Sequence, residues 1–169
     1  MSYFNYHPVL LDYVVANTKR DVVDVTARTA FVKEYKENAN LHIEYTVRDG
    51  ERPEHIAHRL YDDINLYWVV MLFNEIHDIW NDWPVSETCF NDYIKRKYPN
   101  ESYNNVKIYY STLTNTIIDK PDVVDAETVI PITYYEYERT VNEMKRNIIL
   151  PIPSEISNIV KYQRQQLRG

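Results

Sequence analysis

The sequence predicts an α+β fold built on a βααβ core, with an extended N-terminal arm and a C-terminal region of mixed strand and helix. Three observations carry that prediction. Ile43-Glu44-Tyr45-Thr46-Val47 alternates apolar and polar residues, the mark of a half-buried strand. Asp49-Gly50 then turns the chain, and Pro53 follows at a first helical position, where its missing N–H costs nothing. The run Leu66 to Asn74 is apolar nearly all round, as expected of a buried helix.

The elements follow in order. The opening is aromatic (Tyr3, Phe4, Tyr6) up to Pro8, then apolar from Val9 to Ala16. Val22, Val23, Val25 and Thr26 favour a strand. Residues 1–43 are expected to form an arm that docks on a partner, or a capping hairpin. In the core, 44–112, Glu54 suits the positive end of the first helix, and Ile56, Ala57, Leu60 and Tyr61 share one of its faces. Asp62-Asp63-Ile64-Asn65 breaks that helix. Asn81-Asp82-Trp83-Pro84 is expected as a loop, and Ser86 as the cap of a helix carrying Phe90, Tyr93 and Ile94. Pro99 to Asn105 is a polar connector before a strand from Val106 to Leu113.

In the last region, 113–169, Asp119-Lys120-Pro121-Asp122 marks a loop before a strand at Val129 to Tyr135, and Glu136 to Arg146 is weakly helical. Asn147 to Ile152 is extended, because Pro151 and Pro153 bias their neighbours away from helix. Ser154 is expected to cap a final helix with Ile156, Ile159, Val160 and Leu167 on one stripe.

Composition narrows the function. A net charge of −6 provides no basic field for nucleic acid or an anionic membrane, and the cluster Lys161, Arg164, Arg168 is expected as a solvated helix face. No apolar run reaches the ~20 residues that span a bilayer, and the N-terminus lacks the pattern of a secretory signal. A soluble chain made in a cytoplasm is expected. One cysteine forms no intrachain disulfide.

His55, His58 and Asp62 fall on successive turns of one helix and could ligate zinc, but exposed polar positions are the simpler reading. Cys89 is expected to be a buried structural thiol. With two glycines in the chain, Gly50 and Gly169, there is no phosphate-cradling loop. No enzyme activity, metal or cofactor is expected. Sixteen tyrosines suit surfaces that become buried against partners, or equally strands and a modest core. Of Trp80 and Trp83, one is expected to fold back onto the chain and the other to anchor a neighbour.

Tyr45-Thr46-Val47-Arg48-Asp49-Gly50-Glu51, followed by Ile56-Ala57 and Asn74-Glu75-Ile76, resembles a LysM module. Met1-Ser2-Tyr3-Phe4, Asp24 to Arg28, Arg52 to Ala57, Leu60 to Asp63, Leu66 to Val70, Asp82-Trp83-Pro84, Lys97-Tyr98-Pro99 and the stretch from Tyr134 onward resemble, in order, the baseplate wedge protein 53 family of contractile-tailed phages. That resemblance implies a structural subunit of the virion baseplate. Such a subunit clamps other baseplate wedge proteins, adjacent wedge copies and hub or sheath-initiator proteins into a closed ring, and carries no catalytic residue.

Expected contact residues are Tyr3, Phe4, Tyr6, Pro8, Trp80, Trp83, Pro84, Ile156, Ile159, Val160 and Leu167. The alternative is a peptidoglycan-binding module of a tail lysin. Arg52 stands where a sugar-binding LysM has a small Thr or Ser, and the second strand is displaced, with Val106 to Ser111 as its candidate. Both departures argue against glycan as a ligand.

Overall fold

The structure, a computed structural model, describes residues 9–15, 18–23, 33–118 and 128–168. They fall into two compact units. One is drawn from Met1–Thr46, Glu51–Asp82 and Ile148–Gly169, the other from Val47–Gly50 and Trp83–Asn147.

In the first unit, β1 (Val9–Val15) and β2 (Thr18–Val23) form an antiparallel hairpin with Val15 opposite Thr18. Val22 and Val23 lie in β2, Val25 and Thr26 lie outside the described residues, and a short helix α1 (Lys33–Glu37) comes later. Strand β3 (His42–Thr46) leads into α2 (Pro53–Tyr61), with Pro53 at the helix start. Ile56 and Ala57 are fully buried, and Asp62 ends the helix in a left-handed conformation (φ 55°). The Asp63 carboxylate accepts from the Asn65 N–H at 2.9 Å, starting a 3₁₀ turn that runs into α3 (Tyr67–Phe73). Trp68, Val69, Val70 and Phe73 of α3 are buried, which matches an apolar surface on all sides.

The strand that returns to β3 is β7 (Asn147–Pro151), not the expected Val106 to Ser111. Val47 N–H donates to Arg146 O at one end and Ile152 N–H to Leu41 O at the other, so β3 and β7 run antiparallel. This register turns the Ile149 backbone away from β3. The Asn74 side chain takes both of its groups, donating to Ile149 O at 2.8 Å and accepting from Ile149 N–H at 2.9 Å. Tyr61 Oη donates to Pro151 O at 3.0 Å. Glu51 accepts from Tyr45 Oη at 2.8 Å and pairs with Arg59 at 2.6 Å, tying the start of α2 to β3.

After a 3₁₀ turn at Pro153–Glu155, α7 (Ile156–Arg168) closes the chain. Ser154 lies inside that turn. Ile159, Gln163 and Leu167 are buried, one helical face at i, i+4 and i+8.

The second unit contains α5 (Glu87–Lys97), with α4 (Ile79–Asp82) preceding it in the first. Residues expected as a loop therefore include a helical turn at α4. Phe90 and Ile94 are buried on α5, whereas Cys89 is exposed, correcting the expected buried thiol: it lies off the face that Phe90 and Ile94 define. Ser86 occupies the N-cap position without making the capping bond. The Asp49 carboxylate takes the Glu87 N–H instead, at 2.9 Å.

A 3₁₀ segment (Pro99–Asn104) leads to a three-stranded antiparallel sheet in the order β5-β4-β6, with β4 at Val106–Ser111, β5 at Thr116–Ile118 and β6 at Val129–Thr133. Strand β5 was not expected. Helix α6 (Tyr134–Met144) starts earlier than its pattern suggested, because Thr133 and Glu136 form a reciprocal capping box. Asn142 donates to Val85 O at 2.9 Å and accepts from Val85 N–H at 2.7 Å.

Candidate partner-contact surface

Each unit leaves large apolar side chains in solvent. In the first, Trp80 is 82% exposed. Two carboxylates hold the helical turn beneath it. Asp82 accepts from the His77 and Asp78 N–H groups at 3.0 and 2.9 Å, and Asp78 accepts from the Trp80 N–H at 2.9 Å. These bonds fix the backbone beneath the exposed indole.

In the second unit the apolar surface is a sheet face. Tyr110 pairs with Ile117 on β5 and with Ile130 on β6, so the three side chains point to the same side. Ile117 is 64% exposed and Ile130 48%, with Tyr110 half-buried between them. Ile108 and Ile132 are paired on the same face. The other face carries Ser111 opposite Val129, both buried. The sheet therefore presents an apolar row that includes two exposed isoleucines, with Leu113 and Met144 also exposed in this unit.

Many of the tyrosines have a different destination. Glu138, 6% exposed, accepts from Tyr98 Oη at 2.7 Å and Lys97 Nζ at 2.9 Å, with Lys107 Nζ 3.9 Å away. Lys107 sits over the Tyr137 ring at 3.3 Å, and Lys97 over Tyr93 and Tyr98. Tyr98 packs on Tyr134, and Phe90 meets Tyr135 edge-on at 5.6 Å. Burial alone would raise the Glu138 carboxyl, but the bonds from Lys97 and Tyr98 outweigh it and hold the carboxyl below its usual value. Burial and the Glu138 bond push the Tyr98 hydroxyl up to about 12. These tyrosines organise the unit from within.

A second charged node joins the Asp49 turn to the end of α6. The Arg146 guanidinium contacts Asp49 at 3.1 Å and Glu143 at 3.0 Å. The Glu87 N–H and Arg146 together keep the Asp49 carboxyl below its ordinary value. Gly50 takes φ +68° in this turn, a conformation that L side chains rarely adopt.

The contact residues expected from sequence separate. Trp80 is exposed and Trp83 is buried, so Trp83 is the one that folds back onto the chain. Pro84, Ile156 and Val160 are half-buried. Ile159 and Leu167 are buried within the chain itself, so the stripe on the last helix is not an open ligand for a neighbour's groove. Tyr3, Phe4, Tyr6 and Pro8 lie outside the described residues.

Sequence reasoning missed Tyr110, Ile117 and Ile130. Their signal was present in β4, where Ile108-Tyr109-Tyr110 is apolar on both faces instead of alternating. His55 Nδ1 accepts from the Arg52 N–H at 3.3 Å, a local role at the helix start. Among the described residues no group of three or more His, Cys, Asp or Glu is arranged to hold a metal, and no helix is long and apolar enough to cross a membrane.

A family profile described as Base plate wedge protein 53 matches residues 9–118, well over half of the 169 residues. No curated protein matches the chain.

Proposed function

The chain belongs to the baseplate wedge protein 53 family, a structural component of the phage tail baseplate that works against other baseplate components, and from that premise we propose that it clamps neighbouring wedges into a closed ring around the hub. The observation that carries the reading is the pair of separately cored units, each with its own exposed apolar surface. Trp80 anchors one neighbour, and the Tyr110, Ile117, Ile130 face receives another. Two modest contacts on one chain act together, because the first raises the effective concentration of the second. The partners are other wedge proteins, an adjacent wedge copy, and hub or sheath-initiator proteins. Tyr3, Phe4, Tyr6 and Pro8, with the half-buried Pro84, Ile156 and Val160, are proposed as further contact residues.

A second reading has one observation behind it. Within the first unit β3, α2, α3 and β7 follow one another as strand, helix, helix, strand, with β3 and β7 paired and the short α4 also preceding β7, an order similar to that of a LysM module. We propose that this module serves here as a rigid spacer. The exposed Arg52 at the start of α2 disfavours a glycan against that turn.

A pull-down of the tagged chain from phage-infected cells, with a parallel incubation on purified peptidoglycan, separates the readings. Recovery of several baseplate subunits without wall retention supports the clamp. Wall retention without virion proteins would replace it with glycan binding.

A further inference from the structure

The β3–β7 ladder is closed on one side and open on the other. In its register Ile149 of β7 and Glu44 of β3 lie opposite each other, with their backbone groups directed outward to the two edges. On the β7 edge both Ile149 groups are taken by Asn74, and the Pro151 carbonyl by Tyr61. Pro151 has no N–H to satisfy. On the β3 edge the backbone groups of His42 and Glu44 have no partner among the described residues, and β3 is the terminal strand of a two-stranded sheet. Ile43 and Glu44 are both exposed there. An exposed strand edge is a template for another strand, and proteins ordinarily blunt or cover it.

We propose that the β3 edge receives an extended segment of a different tail subunit by strand addition, with a Lys or Arg of that segment opposite Glu44. Three features select this occupant. The longest antiparallel pairing of β3 with a second copy of itself sets Glu44 against Glu44, a repulsive cross-strand pair. The chain carries a net charge of −6, so a basic segment is drawn to it and an acidic one repelled. Ile43, 37% exposed on the opposite face from Glu44, offers an apolar position beside the incoming strand. Backbone bonds provide the attachment, and Glu44 and Ile43 select the sequence that docks. The inference rests on the baseplate reading for the source of the partner, and it adds a third contact, distinct from Trp80 and the β4 face.

Hydrogen exchange read by mass spectrometry tests it, comparing the free chain with the same chain in baseplates purified from the encoding phage. The Ile43 and Tyr45 amides face β7 and are protected in both. The Glu44 amide exchanges fast in the free chain and should slow by about 100-fold or more in the baseplate. Glu44→Pro supplies the second arm. Proline is tolerated on a strand edge where the N–H points outward, so this variant keeps its circular dichroism and loses incorporation by about tenfold or more.

Equal Glu44 exchange in free and assembled chain, or normal incorporation of Glu44→Pro, would overturn the proposal. So would sedimentation of the free chain as a dimer in which Glu44 is protected. If the chain is missing from purified baseplates, the baseplate reading and this inference fall together. If it is present with Glu44 unprotected, only this inference falls.

Discussion

The two units solve the same problem with different chemistry. In the first, a strand pair and two helices bury Ile56, Ala57, Val69, Val70 and Phe73 almost completely. In the second, Phe90 and Ile94 are joined by a buried carboxylate, two lysines and a set of tyrosines. They share one device. Asn74 in the first unit and Asn142 in the second each grip a distant backbone residue through one donated and one accepted bond. An asparagine used this way stands in for a missing strand. The difference teaches where each unit is vulnerable: the first to lost volume, the second to lost charge.

The largest effect expected from breaking that contrast is in the apolar unit. Phe73→Ala leaves a cavity in a fully buried site and should cost about 3–5 kcal/mol, read from urea unfolding. In the polar unit, Glu138→Ala strands Lys97, Lys107 and the Tyr98 hydroxyl. Because both lysines are partly exposed and water replaces some of the loss, the expected cost is smaller, about 1–3 kcal/mol. Asn142→Asp keeps the shape but removes the donor to Val85 O, for about 1–2 kcal/mol. The same exchange at Asn74 should cost no more than this, since that side chain is only half-buried.

Acid should loosen the polar contacts of the second unit. The Glu138 and Asp49 carboxyls are both held below their ordinary values of 4.5 and 3.8. Their stabilisation is therefore complete above those values and lost as pH falls through the lower folded ones. Tyrosine fluorescence and near-ultraviolet dichroism, followed from pH 5 downward (a range of about two units suffices), should report the aromatic cluster of the second unit loosening. Glu138→Gln should flatten that response. The smallest stability effect belongs to Trp80→Ala, within about 0.5 kcal/mol of the parent, because the indole is in solvent.

What the sequence disclosed follows the same division. The first unit was legible because its signals are local: alternation through Ile43 to Val47, a glycine turn, a proline at the helix start, and an apolar helix. What it hid was the return strand. Asn147–Pro151 was recognised as extended, but its pairing with β3 spans most of the chain, and no periodicity reports a pairing at that separation. The second unit was less legible because polar residues hold it. Glu138 and Arg146 fall within a stretch that is only weakly helical in pattern, and only the fold brings Lys97, Tyr98 and Asp49 to them.

The contact surface divided likewise. Trp80 was among the expected residues, since a tryptophan beside Asn81-Asp82 is conspicuous. The β4 face was not, because strand β5 was missed and with it the row Tyr110, Ile117, Ile130. Ile159 and Leu167 misled because an amphipathic stripe near a chain end has the same pattern whether a partner or the chain's own core covers it.

The central claim is that the two units bear separate contacts for different neighbours. The most direct measurement is affinity purification and quantitative mass spectrometry of two surface variants from infected cells, Trp80→Ala and the double variant Ile117→Asp/Ile130→Asp, each first shown to be folded. The account predicts that each variant loses one set of baseplate subunits by about tenfold or more while retaining the other set. Loss of the same set by both variants, or of neither, would contradict it.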